Sequence, residues 1–360
     1  MPRVEDYLQH LVESGGSDLH LKAGGPAYVR IDGDLKPIST LPPLSDNDTA
    51  EMAAEMLDER LATIFDEHRE VDFAHSVPGL GRFRVNAFRQ RGSIGIVCRR
   101  VLPGSADFES LGLPPAVRKL AEEQRGLVLV TGPTGSGKTT TTAAMISHIN
   151  ATRRCHVVTL EDPIEVMHRD DHAIIDQREV GVDTDDFSSG LTAVSRQDPD
   201  VIFIGEMRDL ETVTAALQAA ETGHLVISTL HTTDARETLN RIVDMYPKEQ
   251  QNQARLSLAN SLKGIVCQRL VPRATGDGRA AVVEVLVMTT RIYEFLMDPD
   301  QLPQIDDAIA GGGYYGMQTF DQHLLQLYSE GEVSLRDALG VASSPHDFRV
   351  ALRGAGLAAS

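Results

Sequence analysis

The sequence predicts an α/β protein in which a mostly parallel sheet follows a smaller α+β domain. From about residue 126 onward, the apolar segments LVLVTG, HVVTLED, VIFIGE and LVISTLH alternate with helical patterns. Strands that are apolar on both faces and separated by helices are typical of a parallel sheet covered on both sides. The first hundred residues differ. They combine helical stretches near Val4 to Val12 and Ala50 to Glu67 with short alternating strands, which is the pattern of an α+β domain.

The change of pattern divides the chain into regions. The segment LGLPP, Leu111 to Pro115, separates the two patterns, because glycine and proline interrupt regular structure. We expect a first domain over residues 1–100, a linker over 101–115, an α/β core over 116–290 and a C-terminal helical region over 291–360. In the last region, helical patterns centre on Tyr293 to Leu296, Phe320 to Leu327 and Leu335 to Leu339.

Composition and charge exclude several classes of protein. The chain has 360 residues and a formal net charge of −18, which opposes binding to nucleic acid over most of the surface. Its apolar runs are far shorter than the roughly 20 residues that span a bilayer, and its N-terminus lacks the apolar stretch of a signal peptide. We therefore expect a cytoplasmic protein with protein partners. The three cysteines form no CxxC pair, which argues against disulfides and structural zinc: Cys98, Cys155 and Cys267.

The segment GPTGSGKTT, residues 132–140, matches the P-loop pattern in full. It directly follows the strand LVLVT and opens the helical segment TTTTAAMISHIN. Backbone amides of such a loop turn inward around a phosphate. We expect Lys138 to reach the β and γ phosphates of ATP and the Thr139 hydroxyl to ligate Mg²⁺. The predicted nucleotide-binding residues are Gly132, Pro133, Thr134, Gly135, Ser136, Gly137, Lys138, Thr139 and Thr140.

Three further strand ends carry ionisable groups. HVVTL runs into Glu161, VIFIG into Glu206, and LVISTL into His231. Ligands of open α/β sheets collect at the carboxyl ends of the strands, so these groups should meet the P-loop. Gly205 stands where many P-loop enzymes have a magnesium-binding aspartate, so we expect Glu206 to act on Mg²⁺ through a water. Glu161 is the candidate for orienting or deprotonating the attacking water, and the sequence leaves open which carboxylate is the base.

Histidines and arginines complete the predicted site. His224 and His231 bracket the strand Leu225 to Leu230, and we interpret both as sensors of the γ-phosphate or of a neighbouring subunit. Phosphoryl transfer also needs a cation beyond the P-loop lysine. The segment RFRVNAFRQRG offers candidates that would close over ATP from the first domain, unless they form a solvated basic face: Arg84, Arg89 and Arg91, with Arg82 beside them. Arg196 and Arg208 are further candidates in the second domain.

Four segments together resemble the signature motifs of the secretion-type ATPases. They are GPTGSGKTT, the acidic box TLEDPIE, the Walker B segment RQDPDVIFIGEMRD and the histidine box ETGHLVISTLHT. GGSDLHL, the IDG turn and RFRVNAFRQRG extend the similarity over nearly the whole chain. The resemblance implies a PAS-like N-terminal domain joined to a RecA-like ATPase domain, and a homo-hexameric ring that hydrolyses ATP with Mg²⁺.

Within that family, the chain is most similar to the twitching-motility type that retracts type IV pili. Extension and secretion ATPases usually carry a tetracysteine zinc element and a long N-terminal extension, and we expect neither in this chain. GMQTFDQHLL, residues 316–325, is similar to the C-terminal region of the retraction type. The resemblance implies contact with an inner-membrane pilus platform protein and the pilus base.

One segment departs from that type. Retraction enzymes commonly have an AIRNLIRE-like segment where this chain reads TTRIYEFLMDP. An accessory retraction, pilus-assembly or secretion ATPase is therefore an alternative. A RecA-like nucleic-acid motor and a non-hydrolysing scaffold are others, since the fold by itself does not determine the substrate.

Overall fold

The computed structural model describes residues 3–31, 33–104 and 107–357, and it divides into two compact units. The first unit comprises Met1–Pro103 with Glu165–Met167. The second comprises Gly104–Ile164 with His168–Ser360. Residues 105 and 106 of the predicted linker, Asp32 of the IDG turn and the last three residues of the predicted C-terminal region lie outside the described residues.

The helices follow one another along the chain in both units. They are α1 (Val4–Glu13), α2 (Asp46–Met56), α3 (Glu59–His68), α4 (Phe108–Leu111), α5 (Pro115–Ala121), α6 (Lys138–Thr152), α7 (Phe187–Val194), α8 (Leu210–Glu221), α9 (Ala235–Asp244), α10 (Gln251–Ser261), α11 (Thr290–Met297), α12 (Gln304–Ala310), α13 (Phe320–Ser329), α14 (Leu335–Val341) and α15 (Pro345–Gly354). Short 3-10 helices occupy Lys248–Gln250, Pro299–Gln301 and Gly313–Tyr315.

The strands form one sheet in each unit. They are β1 (Asp18–Lys22), β2 (Tyr28–Ile31), β3 (Asp34–Pro37), β4 (Glu70–Val77), β5 (Gly81–Gln90), β6 (Ser93–Pro103), β7 (Gly126–Thr131), β8 (His156–Glu161), β9 (Val166–Met167), β10 (Ile174–Glu179), β11 (Val201–Ile204), β12 (Leu225–Leu230), β13 (Leu262–Pro272) and β14 (Arg279–Val287).

The first unit is an antiparallel sheet with helices, in the order β3-β2-β1-β6-β5-β4, and β9 adds to β6 in parallel. Alternate residues of β5 point to opposite faces, so Phe83, Val85 and Ala87 are fully buried while Arg84 between them is exposed. The apolar stripe of α1 also reaches zero exposure. The predicted α+β character of this region is therefore confirmed.

The second unit is built on a mostly parallel sheet in the order β10-β8-β11-β12-β7-β13-β14. All neighbouring pairs are parallel except β13 with β14. Successive residues of β7 belong to different cores: Leu127 and Leu129 join one, whereas Val128 and Val130 join the other. Neither face of such a strand contacts solvent, so side chains on both faces are apolar, which explains the continuous apolar sequence of β7.

The structure adds elements that the sequence patterns did not separate. The helical stretch predicted near Ala50 to Glu67 is two helices, because Leu57 leaves the helical conformation and Asp58 caps α3 through the Leu61 amide. Strands β10, β13 and β14 were not predicted. The sequence pattern in this part of the chain had indicated only the four central strands.

Membrane-spanning helices need both length and apolar character. Among the described residues, no helix combines enough of the two to cross a membrane.

Candidate nucleotide-binding site

Four parallel strands of the second unit deliver the P-loop, Glu161, Glu206 and His231 to one edge of the sheet. β8, β11, β12 and β7 are consecutive neighbours and run in the same direction. β7 leads into the P-loop, β8 ends at Glu161, β11 leads into Glu206, and His231 follows β12. Because the carboxyl ends of these strands share an edge, residues that are far apart in the chain become neighbours.

The P-loop turn requires glycine at two positions where the backbone has positive φ. A Cβ on Gly132, at φ 146°, would lie 2.3 Å from the Gln268 carbonyl oxygen and 2.6 Å from Ser136 Oγ. A Cβ on Gly137, at φ 90°, would lie 2.7 Å from Gln268 Nε2. Helix α6 starts one residue later, at Lys138. The loop therefore lies tightly on β13 and presents the first amides of a helix, which is the arrangement that holds phosphate.

Contacts connect the P-loop to three other motifs. Lys138 Nζ donates to the carbonyl oxygens of the loop and lies 3.5 Å from His231 Nδ1. His231 Nε2 lies 3.2 Å from a Glu206 oxygen, and the other Glu206 oxygen accepts from Arg208 Nε at 2.8 Å. Arg208 also lies 3.9 Å from Asp162. One continuous series of contacts thus joins P-loop, histidine box, Walker B segment and acidic box.

The two predicted catalytic carboxylates differ in environment. The Glu161 residue is 7% exposed, and its carboxylate accepts hydrogen bonds from Thr159 Oγ1 at 2.7 Å and Gln177 Nε2 at 3.1 Å. The Glu206 side chain is 18% exposed and faces the exposed imidazole of His231. A buried carboxylate that already accepts two hydrogen bonds has fewer free lone pairs for water than a partly exposed carboxylate. Glu206 is therefore the better placed of the two to contact a water.

His224 lies at the opposite end of β12 from the P-loop. Its carbonyl accepts from the Gly126 amide, at the start of β7, and its Nδ1 is 2.9 Å from the Ala219 carbonyl oxygen. This position does not bring His224 to the P-loop of its own chain, because the strand places its two ends at opposite edges of the sheet. Contact with a neighbouring subunit is the part of the prediction that remains compatible with this position.

The candidate arginines of the segment RFRVNAFRQRG lie in the first unit, whereas the P-loop and the further candidates Arg196 and Arg208 lie in the second. Arg84, Arg89 and Arg91 are exposed. Arg89 lies over the Phe65 ring and 3.7 Å from Asp66. Arg91 has φ 48° and forms, with the following glycine, the two-residue turn between β5 and β6. Their role toward ATP remains a prediction.

Sequence reasoning missed the residue that supports the P-loop from below. Gln268 on β13 is 2% exposed, and its side-chain oxygen accepts from the hydroxyl of the buried Thr141 on α6, at 2.7 Å. A buried polar side chain needs such a partner. A glutamine within the otherwise apolar segment GIVCQ was the available signal.

The described residues fit a magnesium ion that arrives with the nucleotide. They contain no group of three or more His, Cys, Asp and Glu side chains arranged to hold a metal. The Thr139 side chain is exposed in the first turn of α6, beside Lys138. Mg²⁺ in nucleotide sites commonly takes one or two protein ligands and completes its shell with phosphate oxygens and water. This donor set matches that requirement.

The P-loop on a parallel sheet and the acids at the neighbouring strand ends define a P-loop ATPase of RecA-like architecture. Residues 2–309 match the family described as type II/IV secretion system protein. The chain belongs to this family.

Individual relatives agree with that assignment. Over 345 residues the chain is 42% identical to the "Type IV pilus retractation ATPase PilT" of Pseudomonas aeruginosa, covering 96% of this chain and 99% of the relative. It is equally, 42%, identical to "Type IV pilus ATPase PilU" of the same organism, covering 97% and 91%. Among solved structures, a pilus retraction motor PilT with bound ADP is similar with a TM-score of 0.89, at 44% identity and covering 96% and 99%.

Proposed function

We propose that this chain is a motor ATPase that hydrolyses ATP to power retraction of type IV pili. The observation that carries the proposal is the contact series from Lys138 through His231 to Glu206, with steps of 3.5 and 3.2 Å. The 42% identity to PilT over nearly the full length of both chains supports the pilus as the object of the motor. The site supplies the chemistry and the relatives supply the context.

Each residue has a definite task in the proposed hydrolysis. The backbone amides of residues 132–140, except that of Pro133, which has no N–H, surround the phosphates, and Lys138 balances charge on the β and γ groups. Glu206 accepts a proton from the water that attacks the γ-phosphorus, and the bond to the β-phosphate oxygen breaks to release ADP and phosphate. His231 orients the Glu206 carboxylate and registers the presence of the γ-phosphate through its contact with Lys138. The Thr139 hydroxyl would hold Mg²⁺, which neutralises phosphate charge when bound, and Glu206 would reach it through a water.

Glu161 and Arg208 are proposed to position other groups. The buried Glu161 carboxylate fixes the acidic box against β10 through its hydrogen bond from Gln177, and it also accepts from Thr159 within the box. Arg208 holds the second oxygen of Glu206 at 2.8 Å, so that the first oxygen faces His231. With these roles, Glu206 is the proposed base.

The working form is proposed to be a homo-hexameric ring in the cytoplasm, at the inner membrane. It would bind a platform protein and the pilus base there. In a ring, Arg84, Arg89 and Arg91 of the first unit would supply cations to the transition state, and His224 would contact a neighbouring subunit. Differences between ATP and ADP at His231 would then change the arrangement of the units and move the platform protein.

A second candidate is an accessory retraction or assembly ATPase. The equal identity to PilU, 42% over 97% of the chain, favours it. The segment TTRIYEFLM, which is the cap Thr289 followed by α11, points the same way, because retraction enzymes commonly carry a different segment there. Both candidates require ATP hydrolysis, so the cellular phenotype separates them.

Steady-state phosphate release tests the chemistry. Glu206→Gln keeps the size and hydrogen-bonding reach of the side chain but removes the base, so we expect turnover to fall by about 10²- to 10⁴-fold with nucleotide binding retained. Turnover should fall less in Glu161→Gln than in Glu206→Gln. Glu211→Gln, on the exposed side of α8, is the matched control and should keep the wild-type turnover. Turnover near the wild-type rate in Glu206→Gln would contradict the assignment.

Counting surface pili tests the biological role. Deletion of the gene should leave excess, unretracted pili, and the Glu206→Gln gene should fail to restore retraction. Loss of pili on deletion would indicate extension instead. Normal pili that retract with reduced force would support the accessory role.

A further inference from the structure

A cavity lies on the second unit, between α9, α10 and the turn that follows α11. Its volume is about 540 Å³, which is within the range of about 300–1,000 Å³ that is usual for ligand sites. The lining shares no residue with the contact series at the nucleotide. It consists of Asp234, Arg236, Glu237, Asn240, Arg255, Pro299, Leu302 and Pro303.

Of the two cations in the lining, one has no ion-pair partner among the described residues. This group is Arg255 on α10, which is 8% exposed and whose Nη1 is buried without a hydrogen bond. Burial of an unpaired charge is costly, and arginines at such depth are normally held by carboxylates or carbonyl oxygens. Arg255 is thus a guanidinium prepared for a partner that the described part of the chain does not provide.

The other charged groups of the lining are already engaged. Asp234 caps α9 by accepting a hydrogen bond from the Glu237 amide. The Glu237 carboxylate accepts hydrogen bonds from the amide and the hydroxyl of Thr233. Arg236 pairs with Asp306 at 3.2 Å. Only Arg255 and the half-buried amide of Asn240 remain available within the described lining. The groups of the cavity that are available to a ligand are therefore two hydrogen-bond donors.

The walls restrict what could fill this capacity. A guanidinium binds carboxylates and phosphates, each through two parallel hydrogen bonds. Asp234 and Glu237 bring two negative charges to the same cavity, so a dianionic phosphate or a dicarboxylate would be repelled where a single carboxylate is accepted. Leu302, Pro299 and Pro303 form an apolar wall that favours an adjacent apolar group. The combination fits an acidic side chain within a peptide.

We propose that this cavity binds a short segment of a protein partner. One aspartate or glutamate carboxylate of the segment pairs with Arg255 and Asn240, and a flanking aliphatic side chain packs on Leu302 and the two prolines. The proposal concerns a site separate from ATP hydrolysis and does not depend on the proposed retraction role. It also gives a reason for a buried cation that the described residues leave unpaired.

Two blocked pentapeptides test the recognition: Ac-Ala-Leu-Glu-Leu-Ala-NH2 and the variant with glutamine in place of glutamate. Binding of each peptide to the full chain is measured by saturation-transfer NMR. We expect the glutamate peptide to bind about tenfold more tightly, since the glutamine peptide replaces a charge-assisted hydrogen bond with a neutral one. Arg255→Gln should abolish the preference. Arg236→Gln, which alters the same cavity but a cation already paired, should keep it.

Several results would overturn the proposal. These are equal binding of both peptides, absence of binding, or a preference that survives in Arg255→Gln. Butyrate, a carboxylate with a short aliphatic chain, should compete only weakly. If butyrate binds as tightly as the glutamate peptide, the cavity takes a small acid and the peptide proposal is wrong.

Stability of the free protein provides a second, independent measurement. Arg255→Met keeps much of the aliphatic stem but removes a buried charge that the described residues leave unpaired. We therefore expect the melting temperature to stay level or rise. A fall of more than about 4 °C would mean that Arg255 serves the fold and would overturn the recognition role.

Discussion

At the scale of single residues, the chemistry depends on which side chains share a neighbour. His231 lies between Lys138 and Glu206, 3.5 Å from the lysine and 3.2 Å from the carboxylate. A residue in that position can transmit a change at the P-loop lysine to Glu206, the proposed base. Its imidazole is 47% exposed, so the contact with ligand is open.

Replacement of His231 tests this intermediate position. In His231→Asn, we expect turnover to fall by about 10- to 100-fold, because a misplaced catalytic group costs rate even where it is chemically intact. The affinity for ADP should change by less than about threefold, because the loop amides and Lys138 are unaltered. Turnover and isothermal titration with ADP provide the two values. A loss of affinity as large as the loss of turnover would contradict a role in orienting Glu206.

The buried pair of Gln268 and Thr141 permits a double-mutant cycle. Gln268→Met leaves the Thr141 hydroxyl buried without its partner, so we expect a loss of about 1–3 kcal/mol in the free energy of unfolding. Thr141→Val in the same chain should recover a large part of that loss, because both polar groups are then removed. Urea denaturation of the wild type, the two single variants and the double variant measures the coupling. Strictly additive effects would contradict the hydrogen bond.

At the scale of elements, β14 connects the edge of the sheet to helix α9. Glu284 on β14 accepts a hydrogen bond from the Ala235 amide at 3.0 Å, in the first turn of α9. Burial raises the pKa of Glu284 to about 7, and Asp234 adds to this rise, while the bond from Ala235 opposes it. The carboxyl group therefore changes its charge near neutral pH, within the packed interior of the ATPase unit.

The raised pKa of Glu284 predicts a pH dependence of stability. Between about pH 4.5 and pH 7 the folded chain holds a proton on Glu284 that the unfolded chain has lost. The stabilising contribution of the neutral form is thus complete below about pH 4.5 and disappears as the pH rises through about 7. Glu284→Gln, which cannot ionise, should gain about 1–3 kcal/mol relative to the wild type between pH 5 and pH 8. Urea midpoints at several pH values measure this, and a constant difference across the range would contradict it.

At the scale of the whole molecule, two units with separate cores share one chain. The first unit buries Tyr7, Phe83 and their neighbours in one core, and the sheet of the second unit separates two others. The polypeptide passes from the second unit into the first at Glu165 and returns after Met167, where β9 joins the sheet of the first unit. This excursion begins four residues after Glu161. Along the chain, the acidic box is therefore followed directly by a strand that belongs to the first unit.

Mixing of inactive subunits tests whether the arginines complete the site of a neighbour. Lys138→Ala subunits and subunits with Arg84, Arg89 and Arg91 all replaced by alanine should each be inactive. If the arginines act across an interface, an equal mixture should regain activity at about a quarter of the ring interfaces, where intact partners meet. Activity is measured by phosphate release after subunits have exchanged between the rings. No recovery would place the arginines in the site of their own chain or outside the mechanism.

Much of the architecture was readable in advance because its patterns are local. The four central strands were predicted because a strand buried on both faces has no polar residue to mask it, as in LVLVT before the P-loop. Strand β14 was missed: AVVEVLV is apolar enough, but nothing local distinguishes an antiparallel edge strand from a helix segment. The helix break at Asp58 depends on one capping hydrogen bond, which propensity alone does not reveal.

The grouping of three candidate residues was also predictable from the sequence. Lys138, Glu206 and His231 lie close together, as expected, because each follows a recognisable strand and such strand ends share an edge. Their roles in hydrolysis remain a prediction. Gln268 was not found, since its role arises from the approach of β13 to the P-loop. The position of His224 at the far end of β12 follows from strand length, yet its motif had suggested the same site as His231.

The sequence by itself determined the family, the parallel sheet and the phosphate-binding turn, because these depend on local spacing and on apolar segments that few folds can bury. Only the tertiary structure decided that His231 lies between Lys138 and Glu206, that Glu161 is buried more deeply than Glu206, and that Arg255 lacks an ion-pair partner among the described residues. The physical reason is that pairing and burial are set by residues far apart in the chain, whose approach depends on the packing of the complete sheet and its helices.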